Sequence, residues 1–180
     1  CCPELTSLDL RRNGLHATDQ GGTGGPRRLT RLDLGFNRIR SARRLYLSLH
    51  ANGAALTSLS LRGNRLRSTK GLELLKSLRS LDVAGNLLRS MRRDVTNIAD
   101  NLPRLRRAWL EDNPLASVAG YRTQALACWP DERDIELDGR AASKFDRFAL
   151  RHYRKATQLR DRMRRMRQGT NDDDDDDDDD

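Results

Sequence analysis

The chain has 180 residues, of which 36% are hydrophobic and 33% charged, and its formal net charge is +8. This length is enough to bury a core in one domain or in a short array of repeats. No run of about 18 apolar residues occurs, which excludes a membrane-spanning helix, and the three cysteines form neither a disulfide framework nor a spaced zinc-binding set.

The charge is unevenly distributed along the chain. Asp172–Asp180 is a run of nine aspartates, and without it 34 basic residues face 17 acidic ones, for a charge of +17. Only four of the basic residues are lysines. Such an arginine excess indicates either recognition of phosphate or carboxylate groups, which guanidinium binds in a bidentate way, or a GC-rich genome. The small number of cysteines favours a reducing, intracellular compartment.

A motif of leucines followed by an asparagine recurs five times. Its clearest copy is Leu56–Leu66, with leucines at motif positions 1, 4, 6 and 11 and an asparagine at position 9. Positions 4 and 6 lie on one face of a short strand, and the asparagine amide can satisfy backbone groups in the turn that follows. The copies begin at residues 5, 29, 56, 78 and 105, and spacings of 22 to 27 residues are typical of leucine-rich repeats.

The segments between the motifs return the chain to the next strand. Residues 21–26 are too rich in glycine for a helix and indicate a loop, whereas 41–55 is expected to be partly helical. A short helical turn is predicted over 71–78, and apolar residues spaced 4, 3 and 4 predict a helix over 91–102. We therefore predict an α/β fold, a leucine-rich-repeat solenoid with a concave parallel β-sheet of six strands.

The fifth motif leads into a different pattern, which consists of Asn113-Pro114, Tyr121-Arg122, Trp129-Pro130 and Leu137-Asp138-Gly139. This order resembles the C-terminal cap of intracellular leucine-rich-repeat proteins. That group includes the phosphatase-1 regulatory protein, the spliceosomal A-prime protein and the axonemal dynein light chain. The chain differs from the group at Trp129, where a leucine normally stands. The resemblance implies repeats over 1–112 and, over 113–139, a cap that covers the last strand.

The first repeat has no matching cover. The chain starts at Cys1-Cys2-Pro3 without a methionine and resembles the interior of a repeat. We expect earlier repeats or a partner to cover Leu5, Leu8 and Leu10 at this edge.

A basic amphipathic helix is predicted over residues 140–168. Residues 145, 149, 152, 156, 159, 163 and 166 are spaced alternately by 4 and 3, which makes a seven-residue seam. Eleven basic and two acidic residues give this segment a charge of +9. Residues 169–180, which include the nine aspartates, are predicted to be disordered, because adjacent like charges cannot pack.

The basic helix has three possible roles. It docks on the cap, or it binds a protein helix or an acidic tail, or it binds nucleic acid or an anionic membrane surface. Phe145 and Phe148 lie close to the cap in sequence and favour docking of the first two turns. The residues of this helix predicted to contact a partner are Arg147, Arg151, Arg154, Lys155, Arg162, Arg164 and Arg165.

No pattern of an enzyme is present. The glycine-rich stretch 21–25 lacks the Lys-Ser/Thr of a phosphate-binding loop. The histidines at 16, 50 and 152 stand apart from any cysteine or carboxylate pattern. The sequence therefore predicts no catalytic residue, no cofactor and no metal site.

The concave face is the predicted binding surface, because motif positions 3, 5 and 7 point away from the core leucines. Trp109 is the most informative residue, since an exposed tryptophan on a sheet is typical of an interface anchor, unless the cap or the C-terminal helix covers it. An acidic row suits either a basic partner or plain solvation; its members are Asp9, Asp33 and Asp82. The predicted partner-binding residues are Asp9, Arg31, Asp33, Phe36, Arg62, Asp82, Arg107, Trp109 and Glu111.

We therefore predict a non-enzymatic adaptor for protein–protein interaction. The resemblance implies a ciliary, axonemal or other cytoskeletal assembly in the cytoplasm or cilium, where the basic helix meets acidic tubulin tails. The alternative that it implies is a nuclear ribonucleoprotein component, which holds an RNA-binding partner as the spliceosomal A-prime protein does.

Overall fold

The computed structural model describes residues 4–16, 28–43, 45, 56–130 and 133–169, with side chains as far as residue 166. Within these residues seven short strands form one sheet in chain order. They are β1 Ser7–Asp9, β2 Arg31–Asp33, β3 Ser58–Ser60, β4 Ser80–Asp82, β5 Arg107–Trp109, β6 Glu136–Leu137 and β7 Arg140–Ala141. The predicted loop at 21–26, most of the segment at 41–55 and the aspartate run lie outside the described residues.

Strands β1 to β6 are parallel, and each pairs with the next one along the chain. The register places the central residues of the repeat strands side by side, because each strand carries motif position 4 at its middle. Those residues are Leu8, Leu32, Leu59, Leu81 and Ala108. The predicted leucine-rich-repeat solenoid with a parallel sheet is confirmed.

The prediction of six strands missed β7. Asp138 and Gly139 both have positive φ, 51° and 74°, and such a left-handed pair reverses the chain in a two-residue hairpin. As a result, β7 pairs antiparallel with β6. The basic helix therefore begins at Lys144 and not at residue 140, because residues 140 and 141 belong to the strand.

Motif leucines form the core behind the sheet. In the third repeat, Leu59, Leu61 and Leu66 are at most 1% exposed, and full burial of such a side chain contributes about 2 kcal/mol. The leucines of the first repeat, including Leu8, are only partly buried. This difference arises because β1 is the edge strand of the described sheet.

Each inner repeat buries its asparagine behind the turn. Asn86 is 3% exposed and donates through Nδ2 to two carbonyl groups of its own turn and to that of Leu61 in the preceding repeat. Its Oδ1 accepts from the N–H of Leu66. The same arrangement occurs at Asn37, Asn64 and Asn113. Because each amide bonds two repeats, the asparagines join the repeats into a ladder.

The two described connecting segments differ in form. Residues 69–78 make successive turns with i to i−3 backbone hydrogen bonds, which place Leu72, Leu75 and Leu78 in the core. The predicted helix at 91–102 is divided into a π-helical turn, Met91–Val95, and helix α1, Thr96–Asn101. Its apolar residues face the core as their spacing predicts.

The cap begins with a 3₁₀ turn, Pro114–Ser117, and helix α2, Tyr121–Ala127. Trp129 follows and is 1% exposed, so it takes the buried place of the leucine in the resembling group. Asp138 ends the ladder: its Oδ1 accepts from the N–H of Leu110 at 2.7 Å, and its Oδ2 accepts from the hydroxyl of Tyr121 at 2.8 Å. Burial and this carboxylate together raise the pKa of Tyr121, so the hydroxyl remains a donor.

Helix α3, Lys144–Gly169, starts with a reciprocal cap. The hydroxyl and N–H of Ser143 both donate to Asp146 Oδ2, and the N–H of Asp146 donates back to the Ser143 hydroxyl. Arg122 of α2 donates to Asp146 Oδ1 at 3.1 Å and to three backbone carbonyls around the β6–β7 hairpin. This single guanidinium therefore joins α2, the hairpin and α3.

The face of α3 that meets the cap is not the predicted one. Phe145 is 78% exposed and Phe148 is 61% exposed, so the prediction that they dock is wrong. Asp146, Leu150 and Arg154 are partly buried instead. The salt bridge from α2 and the Ser143 cap set the rotation of the helix, and residues spaced by 4 from Asp146 then face the cap.

Candidate protein-binding face

The first and third residues of each strand project opposite the core leucines and, with motif position 7, form the concave face. Register places Asp9 beside Asp33 and Asp82 beside Trp109. We divide the face into two patches. The first patch comprises Asp9, Arg11, Asp33 and Phe36, and the second comprises Arg62, Asp82, Trp109, Glu111 and Asp112.

Arg11 lies between the two aspartates of the first patch. Its Nη2 is 2.7 Å from Asp9 Oδ2, and its Nε is 3.5 Å from Asp33 Oδ2. Both aspartates also accept the backbone N–H two residues further on, Asp33 that of Gly35 at 2.8 Å. The hydrogen bond from the Arg11 side chain holds the pKa of Asp9 below its ordinary value. Each aspartate therefore shapes its own turn and has an arginine beside it.

Arg62 is the centre of the second patch. Its guanidinium lies 3.1 Å from Glu111 Oε1, 3.7 Å from Asp82 Oδ2 and 3.8 Å from Asp112 Oδ2. The side chain of Asp82 is 22% exposed, and burial raises its pKa. Opposite charges in a partly desolvated site attract more strongly than at an open surface. The patch therefore presents a charge arrangement held in place before any partner arrives.

The predicted acidic row is not a row of uncompensated carboxylates. Asp9 and Asp33 share Arg11, and Asp82 faces Arg62. A fully basic partner would have to displace these arginines. Paired charges instead favour a partner that presents both signs, because it can extend the existing pairs.

Trp109 is half-buried, so the prediction of an exposed tryptophan needs correction. Its indole Nε1 lies 3.7 Å from the place that a Cβ on Gly139 would occupy. The β6–β7 hairpin of the cap therefore lies against the ring. A half-buried indole is held in one orientation and still offers apolar area to a partner.

Phe36 is an exposed aromatic side chain in an unfavourable backbone conformation. Its φ is 54°, whereas the equivalent position is glycine in the next two repeats, Gly63 and Gly85. The ring is 49% exposed, with the Arg12 guanidinium 5.4 Å from its centroid. It also lies over Gly63, where a Cβ would come within 2.7 Å of the ring. Left-handed backbone at a bulky residue is often found at functional sites.

We expect Phe36→Gly to change the free energy of unfolding by less than about 1 kcal/mol, because relief of the left-handed backbone offsets the lost packing. Phe36→Val should be worse by roughly 1–2 kcal/mol, since a β-branched residue fits this conformation poorly. Urea unfolding of both variants measures the difference. A loss above about 2 kcal/mol for the glycine variant would mean that Phe36 is kept for packing.

The other predicted concave residues are at motif position 3. Arg31 and Arg107 are exposed, and Arg107 stands beside Glu136 in the register of β5 and β6. They extend the two patches along one side of the face.

Some of the predicted basic residues of α3 contact the cap, and the others are exposed to solvent. Arg154 is partly buried and its Nη2 donates to the carbonyl oxygen of Trp129, so it belongs to the contact with the cap. Arg147 Nη2 lies 3.3 Å from Asp134 Oδ1. The remaining predicted residues are exposed; they are Arg151, Lys155, Arg162, Arg164 and Arg165.

The predicted list of partner-binding residues omitted three residues of the face, although motif position 7 already placed Arg11 there. Arg11 and Asp112 complete the ion pairs, and Arg12 lies over the ring of Phe36. Arg12 and Asp112 both have positive φ at motif position 8, as Phe36 does. The sequence did carry a signal for Arg12 and Asp112. At motif position 8, where two other repeats have glycine, these repeats have a charged residue.

The chemistry of the described residues offers no activated group. Burial raises the pKa of the Cys128 thiol, which disfavours the reactive thiolate. Among the residues with described positions, no three His, Cys, Asp or Glu side chains are grouped to hold a metal. No described helix has the length and apolarity needed to cross a membrane.

Parallel repeat strands, a buried asparagine ladder and a capped last strand define a leucine-rich-repeat protein. The family model for leucine-rich repeats matches residues 3–66, and the parallel repeat strands continue in the structure up to the cap.

Three relatives and one solved structure extend the comparison. The chain is 46% identical over 123 residues to human serine/threonine-protein kinase 11-interacting protein, which is 66% of this chain and 11% of that protein. The mouse protein of the same name is 43% identical over 110 residues, which are 57% of this chain and 10% of that protein. An uncharacterized leucine-rich repeat-containing protein of Schizosaccharomyces pombe is 31% identical over 153 residues, which are 81% of this chain and 23% of that protein. The chain thus spans about a tenth of the mammalian relatives.

A chain in the crystal structure of the Drosophila melanogaster SNF/U2A' complex has the same fold. The TM-score is 0.64 and the sequence identity 23%, over 88% of this chain and 87% of that one. At this identity the likeness describes the fold alone.

Proposed function

We propose that this chain is a non-enzymatic adaptor module that binds one protein partner on its concave face. The observation that carries the proposal is the second patch, where Arg62 is held among three carboxylates beside the half-buried Trp109. Arginine and tryptophan are enriched among residues that dominate binding energy, especially where surrounding groups exclude water. Because the ion pairs already orient Arg62, little side-chain entropy is lost on binding.

A serine/threonine kinase is the partner class that we propose. The mammalian relatives are named as proteins that interact with serine/threonine-protein kinase 11. Those names describe proteins of which this chain covers about a tenth, so the transfer to this segment is part of the proposal. The paired charges of the concave face suit a folded partner that carries both signs on its surface.

Purified serine/threonine-protein kinase 11 is the probe for this proposal, with binding to the chain measured by isothermal titration calorimetry. We expect Arg62→Met and Trp109→Ala each to weaken binding about tenfold or more. The matched control is Arg89→Met, an exposed arginine outside the strands that should leave the affinity unchanged. Equal losses in all three variants, or none in the first two, would contradict the concave face as the site.

The cellular context predicted from the sequence remains a prediction. A ciliary or axonemal assembly and a nuclear ribonucleoprotein were both implied by resemblance, and the likeness to a chain of the SNF/U2A' complex supports a shared fold for the second. Co-sedimentation with microtubules tests the first context, and crosslinking to an RNA-bound partner tests the second.

A further inference from the structure

Helix α3 carries an apolar stripe that faces away from the cap. Leu159 is 59% exposed, Met163 51% and Met166 57%, and the stripe continues through Phe148 and Phe145 near the cap. Successive residues of an α-helix are separated by about 100°, which puts these five residues on the side of α3 opposite the docked residues. These five side chains are therefore open to solvent, whereas Ala149 beside them is partly buried.

Four residues of the stripe lie on a seven-residue seam of the coiled-coil type, and Phe148 flanks that seam. The positions 145, 149, 152, 156, 159, 163 and 166 alternate by 4 and 3, so they repeat every seven residues. Such a period keeps one seam against a second helix over its whole length. The seam contains one polar residue, His152, whose ring contacts that of Phe148 with centroids 4.4 Å apart.

Exposed cations flank the seam on both sides. Lys155 and Arg162 lie on one side, one residue before a seam position, and Arg160 lies on the other, one residue after. These are the places from which a coiled coil makes salt bridges between helices. From 144 to 169 the helix has ten basic and two acidic residues, so its seam is complementary to an acidic helix.

Other occupants fit less well. A second copy of α3 would place basic flanks against basic flanks, which opposes pairing. The chain's own aspartate run, residues 172–180, has no apolar side chain to fill the seam. An anionic membrane surface is also disfavoured as an occupant. Its negative surface potential would repel the same aspartate run, which follows α3 closely in sequence.

We propose that the exposed stripe of α3 docks an acidic amphipathic helix of a protein partner as a two-stranded coiled coil. The apolar residues of the partner helix cover Leu159, Met163 and Met166, and its carboxylates pair with Lys155, Arg160 and Arg162. This is a second binding site, separate from the concave face and independent of the partner proposed for that face. It would let one chain hold two proteins.

A synthetic peptide of about four heptads with leucine at the seam and glutamate at the flanks is the probe. It should bind the full chain and gain helicity by circular dichroism, whereas the same peptide with lysine at the flanks should not bind. Leu159→Ser with Met163→Ser should weaken binding at least tenfold. Because both side chains are exposed, the fold is kept, and Gln158→Ser on another face is the matched control.

Charge reversal separates this proposal from a general polyanion effect. Lys155→Glu with Arg162→Glu should abolish binding of the glutamate peptide and create binding of the lysine peptide. Unchanged binding of the glutamate peptide after Leu159→Ser with Met163→Ser would overturn the proposal. Stripe-dependent binding to phosphatidylserine vesicles without peptide binding, or stripe-dependent dimerisation in sedimentation, would also overturn it.

Discussion

Replacing Asn86 with alanine should lower the free energy of unfolding by on the order of 3 kcal/mol or more. The side chain satisfies the carbonyl groups of Leu61, Val83 and Ala84 and the N–H of Leu66, all within 3.1 Å. Each buried polar group left without a partner costs about 1–3 kcal/mol. Urea unfolding followed by circular dichroism measures this loss.

Asn13→Ala is the matched control within the same motif. Asn13 is exposed, and its Nδ2 donates to the carbonyl oxygen of Arg11 in its own turn. We expect a loss below about 1 kcal/mol, because water replaces that bond. Similar losses in the two variants would show that the ladder does not depend on burial.

Arg122→Ala should have the second largest effect, with a loss of roughly 2–4 kcal/mol and release of the first turns of α3. The guanidinium is 20% exposed and donates to Asp146 and to the carbonyls of Leu137, Arg140 and Ala141. Its removal takes this donor from three carbonyls and from the Asp146 carboxylate, which keeps only its hydrogen bonds from Ser143. Hydrogen exchange over 144–157 should rise in the variant while exchange in the repeats remains slow.

A surface pair provides the comparison for this variant. Arg147 and Asp134 are 57% and 89% exposed, and exposed ion pairs contribute at most about 1 kcal/mol. Arg147→Ala should therefore leave α3 docked. If exchange over 144–157 rises equally in both variants, Arg122 is not the residue that holds the helix.

The same contact makes docking of α3 sensitive to acid. Burial alone would raise the pKa of Asp146, but hydrogen bonds from Ser143 and Arg122 outweigh it and hold the pKa below 3.8. A lowered pKa stabilises the folded state above pH 3.8, and this stabilisation is lost as the pH falls through the folded-state value. Hydrogen exchange over 144–157 should accelerate in that acid range in the wild type and less in Asp146→Asn.

The repeat architecture was predictable from particular residues because its determinants are local. In Leu56–Leu66 the leucine spacing specifies a short strand, and Asn64 satisfies the turn that follows. Each later copy repeats this local solution, so the register of neighbouring strands follows from the motif. The Asn-Pro, Tyr-Arg and Leu-Asp-Gly elements of the cap likewise appear in the structure in their order along the chain.

The candidate site was only partly predictable. Motif positions placed Arg62, Asp82 and Glu111 on one face, but their pairing depends on how long side chains cross between strands. Arg62 and Glu111 are 49 residues apart in sequence. The repeat pattern does not predict which carboxylate an arginine pairs with. That pairing depends on the distances and the desolvation of the side chains in the assembled sheet.

The rotation of α3 shows the same division most clearly. The chain specifies a long basic helix with a seven-residue seam, since both features are periodic properties of one segment. Which face meets the cap is decided by Arg122, which meets Asp146 across 24 residues. A partly buried ion pair together with the Ser143 helix cap outweighs the apolar preference of Phe145 and Phe148, and both rings remain exposed.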